Sequence, residues 1–458
     1  MADIQDLERL AKGTKAWNAW RKVDPDRQPD LREAELRNLE AEGIDFSDTL
    51  LSGADLSGAD LSEASLRTAD LSQAKLPNAV LRAADLWKAK LKHADLSGAN
   101  LGRANLTGAE LLHATMVGTQ LSRASLQGAI MTSANLTRAC LHDSDLSFAT
   151  LNEALLVEAD LTRAKLEGAE LTQAGLTRAD LSQANLHQSS LKQAYLAEAN
   201  LSQSRLTEAE LKSTCLERTL LLETDLRGAT IHDCKVYGIS AWKPLLNGAK
   251  QARLQITPSD ETKLTVDSIE VAQFIYLMLS SERISDIFNA TDTKGVLLLG
   301  RFTEKRKEIL ENLRNALRNS YNLVPIVFDF DRPARSNLGE TISRLSGLSR
   351  FIIADITQPR AVPAELQIIA PSHRIPIIPI LQRGKPTYAL FSNLLTHTWV
   401  GEVFLYDTAQ DVGNALPELI RRAETIAEAI RRQPDRNGVP AGGPDDEDEP
   451  PRHEPGGG

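Results

Sequence analysis

The stretch LSGADLSGADLSEASLRTADL, residues 51–71, places an apolar residue at every fifth position. The same spacing continues without a break from Phe46 to Val236, giving 39 apolar positions of which 34 are Leu. A period of five fits neither an α-helix at 3.6 residues nor a plain strand at two, so the chain must turn a corner once per repeat. The sequence therefore predicts a coil whose short sides hold Leu and a small residue inside, with residues such as Asp55 and Asn100 outside.

This pattern resembles the pentapeptide-repeat family, A(D/N)LXX, over about 190 residues. The resemblance implies a right-handed quadrilateral parallel β-helix with four repeats per coil. Roughly ten coils at ~4.8 Å each would make a rod about 47 Å long. We assign this β-helix to residues 31–240. An open stack needs a cap at each end, and LERLAKGTKAWNAW predicts a helical cap within residues 1–30.

The function of such a rod must lie on its outside, because packed Leu and Ala ladders leave no internal cavity. The resemblance implies either a scaffold that binds a partner or a mimic of duplex DNA, as in family members that bind DNA gyrase. A DNA mimic requires a strongly acidic face, whereas residues 44–236 hold 24 acidic and 18 basic side chains, interspersed along the chain. We therefore expect the rod to bind a protein partner.

Composition excludes several other classes of function. A net charge of -10 over 458 residues disfavours nonspecific binding to nucleic acid, which depends on basic patches. Three scattered cysteines predict no disulfide framework and a cytoplasmic location. The sequence shows no signal-peptide pattern and no apolar run of ~18 residues, so we expect no membrane contact. The eight histidines are dispersed, and the pair His232 and Cys234 lacks further ligands, so we expect no metal site.

After residue 240 the repeat stops. Residues 241–294 read as a connector with a short hairpin in LQITPSDETKLTVDS, able to seal the rod, followed by a helix. From 295 to 433, apolar runs such as VLLLG, VPIVFDF and RFIIADI alternate with amphipathic stretches. That alternation predicts an α/β flavodoxin-like domain whose parallel sheet is covered on both faces. Residues 434–458 predict a disordered tail from their composition.

Ligands of such sheets bind at the carboxyl ends of the strands. Neither common glycine-rich phosphate motif is present, so kinase-like and dehydrogenase chemistry are disfavoured. The side chains expected to contact a nucleotide follow the first three strands: Arg301, Phe302 and Thr303; Asp329, Arg332 and Arg335; Asp355 and Thr357. Asp355 alternatively orders the loop that follows its strand.

The strand order and the segment RFIIADI…VPAEL resemble the TIR and TIR-like family over about 130 residues. The family helix often reads W-C-x-x-E-L, and here Glu365 falls on the family's catalytic position, although the Trp-Cys pair is missing. The first strand also continues into GRFTEKR instead of an aromatic residue and Ser. The resemblance implies NAD as the candidate substrate of an NAD nucleosidase (NAD glycohydrolase) without a prosthetic group. It also implies homo-oligomeric assembly through this domain, in bacterial stress or antiphage defence.

Two hypotheses remain open for Glu365. Local sequence alone indicates an ordinary first-turn carboxylate after Pro363, favoured by the helix dipole. Related folds include nucleoside deoxyribosyltransferases, whose Glu attacks the sugar, and many TIR-like domains only bind or assemble. The chain is thus either an effector that cleaves NAD or a noncatalytic scaffold that binds proteins or a nucleotide. Glu340 is a weaker acidic candidate, expected to cap the next helix.

Overall fold

The computed structural model describes residues 2–258, 261, 263–280, 295–300, 307–329, 345–346, 349–357, 362, 366, 370–371, 374–386 and 391–432. The helices of eight residues or more are α2 to α4 and α6, and two shorter ones are α1 and α5. In chain order the helices are α1 (Ile4–Leu10), α2 (Thr14–Val23), α3 (Ile269–Ser280), α4 (Lys307–Tyr321), α5 (Phe391–Leu394) and α6 (Ala409–Arg432). The strands are β1 (Glu210–Lys212), β2 (Thr230–His232), β3 (Lys250–Ala252), β4 (Leu254–Gln255), β5 (Leu264–Val266), β6 (Gly295–Gly300), β7 (Val324–Asp329), β8 (Ser349–Asp355), β9 (Ile377–Gln382) and β10 (Phe404–Tyr406).

The repeat region forms a parallel coil of twenty residues per turn. One outward-facing residue of each repeat bridges to the residue twenty positions later, beginning with Asp30 and Leu50 and ending with Lys235 and Gln255. Twenty residues are four repeats, which confirms the predicted four-sided coil. The coil starts before Phe46 and continues beyond residue 240, so it holds about eleven turns and extends for ~53 Å at the usual strand spacing.

Hydrogen bonds within the rod explain the Asp or Asn that many repeats carry just before the Leu. The Leu56 N–H donates to the Lys75 carbonyl of the next coil at 2.7 Å, and the Asp55 N–H donates back to the Ala34 carbonyl at 2.9 Å. The corner leaves one N–H unpaired, and the Asp55 carboxylate accepts it from Ser57 at 3.1 Å. An Asp or Asn here therefore satisfies a backbone donor that the coil itself leaves unsatisfied.

Two helices cover the first coil of the rod, where one helical cap was expected. Trp17 of α2 is fully buried, donates its Nε1–H to the Asp45 carbonyl at 2.7 Å, and packs edge-on against Phe46 at 5.4 Å between ring centroids. Asp6 of α1 is buried and pairs with Arg27 at 3.2 Å. The apolar end of the stack is thus covered by the Trp17 side chain, here called the aromatic plug, and by the ion pair between Asp6 and Arg27.

Replacing the aromatic plug tests this cap. We expect Trp17→Ala to lower the free energy of unfolding by about 3–5 kcal/mol, because it removes a buried indole and leaves a cavity over Phe46. Val23→Ala, on the same helix but 84% exposed, should change stability by less than about 0.5 kcal/mol. Urea unfolding followed by circular dichroism measures both variants. Equal stability of the two variants would contradict a capping role for Trp17.

The hairpin predicted after the rod belongs to the second sheet as well as to the last coil. The Gln255 N–H donates to the Cys234 carbonyl at 2.8 Å, which continues the wall of the rod into β4. β4 pairs antiparallel with β5, and β5 pairs antiparallel with β7. The sheet order is β10-β9-β8-β6-β7-β5-β4. The rod and the C-terminal sheet therefore share one continuous set of backbone hydrogen bonds.

The C-terminal sheet consists of the predicted parallel strands, extended at one edge by the two antiparallel strands of the hairpin. The five strands β6 to β10 run parallel, as their apolar runs indicate, and only β4 and β5 are antiparallel. Both faces are buried, one against the core that continues from the rod and the other against α4 and α6. The hairpin strands were read as part of a separate connector because sequence carries no signal for which distant strand they pair with.

Candidate functional site

Three neighbouring parallel strands end at one edge of the C-terminal sheet. β8 ends at Asp355, β9 at Gln382 and β10 at Tyr406. Asp355 and Thr357, two of the residues expected to contact a nucleotide, lie at this edge. In doubly wound sheets, the carboxyl ends of the strands are where ligands bind.

Asp355, Thr357 and Tyr406 form a buried polar cluster at that edge. The Asp355 carboxylate accepts the Thr357 N–H at 3.0 Å and the Tyr406 hydroxyl at 3.4 Å. The Thr357 hydroxyl lies 3.3 Å from the Tyr406 hydroxyl and accepts the Gln382 N–H at 3.0 Å. All three side chains of the cluster are less than a tenth exposed. Their polar atoms are engaged in holding the loop after β8 against β9 and β10, which fits the loop-ordering role expected for Asp355.

The other predicted site residues are not brought together in the described part of the chain. Asp329 ends β7, and its backbone pairs with Gly300 of β6, but its side chain is outside the described set. The remaining predicted site residues lie outside the described residues; they are Arg301, Phe302, Thr303, Arg332, Arg335, Glu340 and Glu365. Their roles stay predictions.

Tyr406 is the site residue that sequence reasoning missed. Its side chain is 1% exposed, and its hydroxyl lies within hydrogen-bond distance of both Asp355 and Thr357. The segment VFLYD indicates a strand that ends in Tyr, but a strand-end Tyr is usually core packing. Only the pairing of β10 with β9 brings this hydroxyl next to the end of β8.

The rod carries a second candidate surface, an apolar stripe formed by Leu155, Val157, Gly175 and Tyr195. Leu155, Gly175 and Tyr195 follow one another up consecutive coils. Leu155 is 47% exposed and Tyr195 is 58% exposed. Gly175 leaves room for the Leu155 side chain, which would lie 3.4 Å from a Cβ added there. Large exposed apolar side chains aligned on one face are typical of protein-binding surfaces.

A charge ladder runs beside the apolar stripe, formed by Arg138, Glu158, Arg178, Glu198 and Arg218. Arg138 pairs with Glu158 at 2.8 Å, and Arg178 pairs with Glu198 at 2.8 Å. The hydrogen bond from Arg178 lowers the pKa of Glu198, so this carboxylate stays ionised down to pH values below its ordinary range. The ladder therefore offers alternating charges along the edge of the stripe at neutral pH.

The thiol of Cys234 is buried inside the rod and is not a reactive group. Its Sγ donates to the Leu211 carbonyl at 2.7 Å, and burial raises the pKa of the thiol to about 12. His232 and Cys234 gain no further ligands: within the described residues, no group of three or more His, Cys, Asp or Glu side chains is arranged to hold a metal ion. Among the described helices, none is both long and apolar enough to cross a bilayer.

The chain is similar to known proteins through its repeat region. The family model described as pentapeptide repeats matches in eight copies, over residues 30–68, 64–103, 99–143, 139–178 and 176–212. The comparison with curated proteins gave no match. The family match ends at residue 212, so the TIR-like resemblance of residues 295–433 stays a prediction.

Among solved structures, similar chains include HetL, a pentapeptide repeat protein involved in heterocyst differentiation regulation from the cyanobacterium Nostoc sp. strain PCC 7120. HetL is 31% identical, with a TM-score of 0.32, over 49% of this chain and 92% of HetL. Rfr23 from the cyanobacterium Cyanothece 51142 is 38% identical, with a TM-score of 0.19, over 19% of this chain and 58% of Rfr23. QnrB1, a plasmid-mediated fluoroquinolone resistance protein, is 15% identical, with a TM-score of 0.28, over 43% of this chain and 89% of QnrB1.

Proposed function

Because the chain belongs, through residues 30–212, to the pentapeptide repeat proteins, we propose that its rod is a binding arm for a protein partner. The observation that carries the proposal is the apolar stripe with its charge ladder. The stripe supplies aligned apolar side chains at its centre, and the ladder supplies charges at its rim, which is the usual composition of a protein interface. The solid interior of the rod leaves no room for a small ligand.

The C-terminal domain is proposed to be a flavodoxin-like, TIR-like domain that binds NAD. Support comes from the order of its parallel strands, β7-β6-β8-β9-β10, which is the 2-1-3-4-5 order of flavodoxin-like sheets. The strand order reverses between β6 and β8, and in doubly wound sheets the ligand-binding crevice lies at such a point, beyond the carboxyl ends of the strands, here Gly300 and Asp355. The nucleotide would bind in this crevice, with Arg301 and the other predicted contact residues around it.

The proposed reaction is hydrolysis of NAD at the nicotinamide glycosidic bond. The nicotinamide ring is cationic in NAD and leaves neutral, so no strong general acid is required. Water adds to the ribosyl carbon and releases a proton, giving ADP-ribose and nicotinamide. The ribosyl centre becomes positively charged as the bond breaks, and a carboxylate lowers the energy of that state. Glu365 is the residue proposed for this role.

A noncatalytic scaffold is the second candidate. It is favoured by the buried cluster of Asp355, Thr357 and Tyr406, whose hydrogen bonds are made within the protein. In that case the carboxyl edge would bind a nucleotide or a protein without reacting. Homo-oligomeric assembly through this domain is compatible with both candidates.

Release of nicotinamide from NAD distinguishes the two candidates. The purified full chain, free and clustered on a multivalent support, is incubated with NAD, and nicotinamide is measured by chromatography. We expect the clustered wild type to release nicotinamide and Glu365→Gln to lose at least ~100-fold of that rate, since neutralising the carboxylate removes the stabilising charge. Glu424→Gln, which alters an exposed acid paired with Arg350, is the matched control and should retain the rate. Equal rates in wild type and Glu365→Gln would disprove the catalytic role.

A further inference from the structure

A shallow depression of about 300 Å³ lies on another part of the rod surface. We call it the arginine depression; its walls are Arg82, Arg103, Arg123 and His142. These residues come from successive coils, so the depression extends for ~14 Å along the rod. The apolar stripe begins further along the chain, so the two surfaces share no residue.

The floor of the arginine depression is made by Gly102. The twenty-residue period aligns this position with Arg82 on one side and His142 two coils beyond. The φ angle of Gly102 is outside the left-handed region, so the backbone does not require glycine there. An added Cβ would meet only the Asn100 Oδ1 at 3.2 Å and the Ser122 carbonyl at 3.9 Å. The missing side chain therefore leaves the depression open at its floor.

Two of the arginines in the depression lack the carboxylate partner that most other rod arginines have. Of the thirteen arginines between residues 30 and 255, all described, ten lie within 4.0 Å of a carboxylate. The exceptions are Arg82, Arg103 and Arg205. Arg82 and Arg103 both line the depression, and its other arginine, Arg123, has only a long contact of 3.5 Å to Asp143. The depression thus concentrates positive charge that the rod does not neutralise.

Asp143 does not cancel this charge, because its stronger partner is elsewhere. Arg163 pairs with Asp143 at 2.7 Å, and the guanidinium of Arg163 holds the pKa of this carboxyl below its usual range. His142 lies 3.5 Å from the same carboxylate. One carboxylate is therefore shared among Arg163, Arg123 and His142, while Arg82 and Arg103 face solvent.

We propose that the arginine depression binds a chain of phosphoryl groups, of the size of tripolyphosphate. Guanidinium groups bind phosphate oxygens through paired N–H donors, and three of them surround a concave surface here. The length of ~14 Å suits several linked phosphates better than a single oxyanion. His142 is the only aromatic ring in the lining, so charge carries the recognition and a nucleobase is not required. The site is independent of the proposed NAD activity.

Titration calorimetry of the full chain with sodium tripolyphosphate at low and at moderate salt tests the proposal. We expect saturable binding to one site that weakens with salt. Arg103→Gln should weaken binding at least ~10-fold, because it removes a charge-assisted contact. Gly102→Gln should weaken it similarly without changing the net charge, because the new side chain fills the floor.

The matched control is Arg205→Gln, which removes another rod arginine without a carboxylate partner but lies outside the depression. Its binding should equal that of the wild type, and circular dichroism melting should show all three variants folded. Equal losses in Arg103→Gln and Arg205→Gln would overturn the proposal in favour of nonspecific charge attraction. Absence of saturable binding would overturn it outright. Equally tight binding of hexaglutamate would replace phosphate with carboxylate as the ligand chemistry and would also overturn it.

Discussion

Leu136→Asp is expected to unfold the rod, lowering the free energy of unfolding by several kcal/mol or preventing folding altogether. Leu136 is fully buried in the stacked core, between the coils that contain Met116 and Leu156. A carboxylate placed there has no cation within reach and loses its hydration, so it either carries an unpaired buried charge or takes up a proton. The coils above and below share the same core, so the damage spreads along the stack. Circular dichroism during thermal and urea unfolding measures the loss.

The matched control adds the same carboxylate one residue earlier. Residue 135 faces outward, at the position where other repeats carry Asp55 or Asp160. The Asn135 Oδ1 accepts the Thr137 N–H at 3.1 Å, and an Asp carboxylate at this position would accept the same N–H. We expect stability within about 0.5 kcal/mol of the wild type. If Leu136→Asp melted at the temperature of Asn135→Asp, the stacked core would not hold the rod together.

Arg314→Leu is expected to lower the free energy of unfolding by about 3–5 kcal/mol and to loosen the junction between rod and sheet. Arg314 of α4 pairs with Asp267, which follows β5, at 2.6 Å and 3.0 Å; the Arg314 side chain is buried and that of Asp267 is 11% exposed. The same Asp267 accepts the Arg253 N–H from the last coil of the rod at 2.9 Å. Removing the guanidinium leaves a largely buried carboxylate without its cation, which is more harmful than removing both partners. Urea unfolding of the full chain gives the magnitude, and hydrogen exchange at residues 254–267 gives the location.

Two further variants test whether the loss of stability in Arg314→Leu comes from the burial of the ion pair or from the loss of any ion pair. Arg350→Leu breaks an exposed pair with Glu424 at 2.8 Å and should change stability by at most about 1 kcal/mol. The double variant Arg314→Leu with Asp267→Leu should recover part of the loss, since it removes the stranded charge. A double variant less stable than Arg314→Leu alone would show that the damage comes from packing and not from an unpaired charge.

The architecture of the rod is predictable from the sequence because one short period is repeated many times. The interval of five residues requires a corner in every repeat, and the bridges between residues twenty apart follow from four corners per coil. The C-terminal end was less visible because the pattern weakens there: Ala241 occupies an inward position that Leu fills elsewhere. Packing against neighbouring coils extends the stack where the local signal alone would stop it.

Less of the candidate site is predictable, because it depends on pairings between distant strands. Asp355 could be placed at a strand end from the run RFIIADI, since a buried apolar run that ends in a carboxylate marks an edge of the sheet. Tyr406 could not be connected to it, because 51 residues separate the two and only the sheet order brings them together. The pairing of the predicted hairpin, β4 and β5, with β7 was not foreseen for the same reason.

The shared hydrogen bonds between the last coil and β4 make the rod a spacer of fixed length. A flexible linker would let the two parts tumble independently, and the local concentration of a partner near the sheet would fall with linker length. Here the wall of the coil passes directly into the sheet through Gln255, so a partner held on the rod keeps one distance and one orientation toward the strand ends. The chain would therefore fix the distance and the orientation between a molecule bound on the rod and a molecule bound at the strand ends.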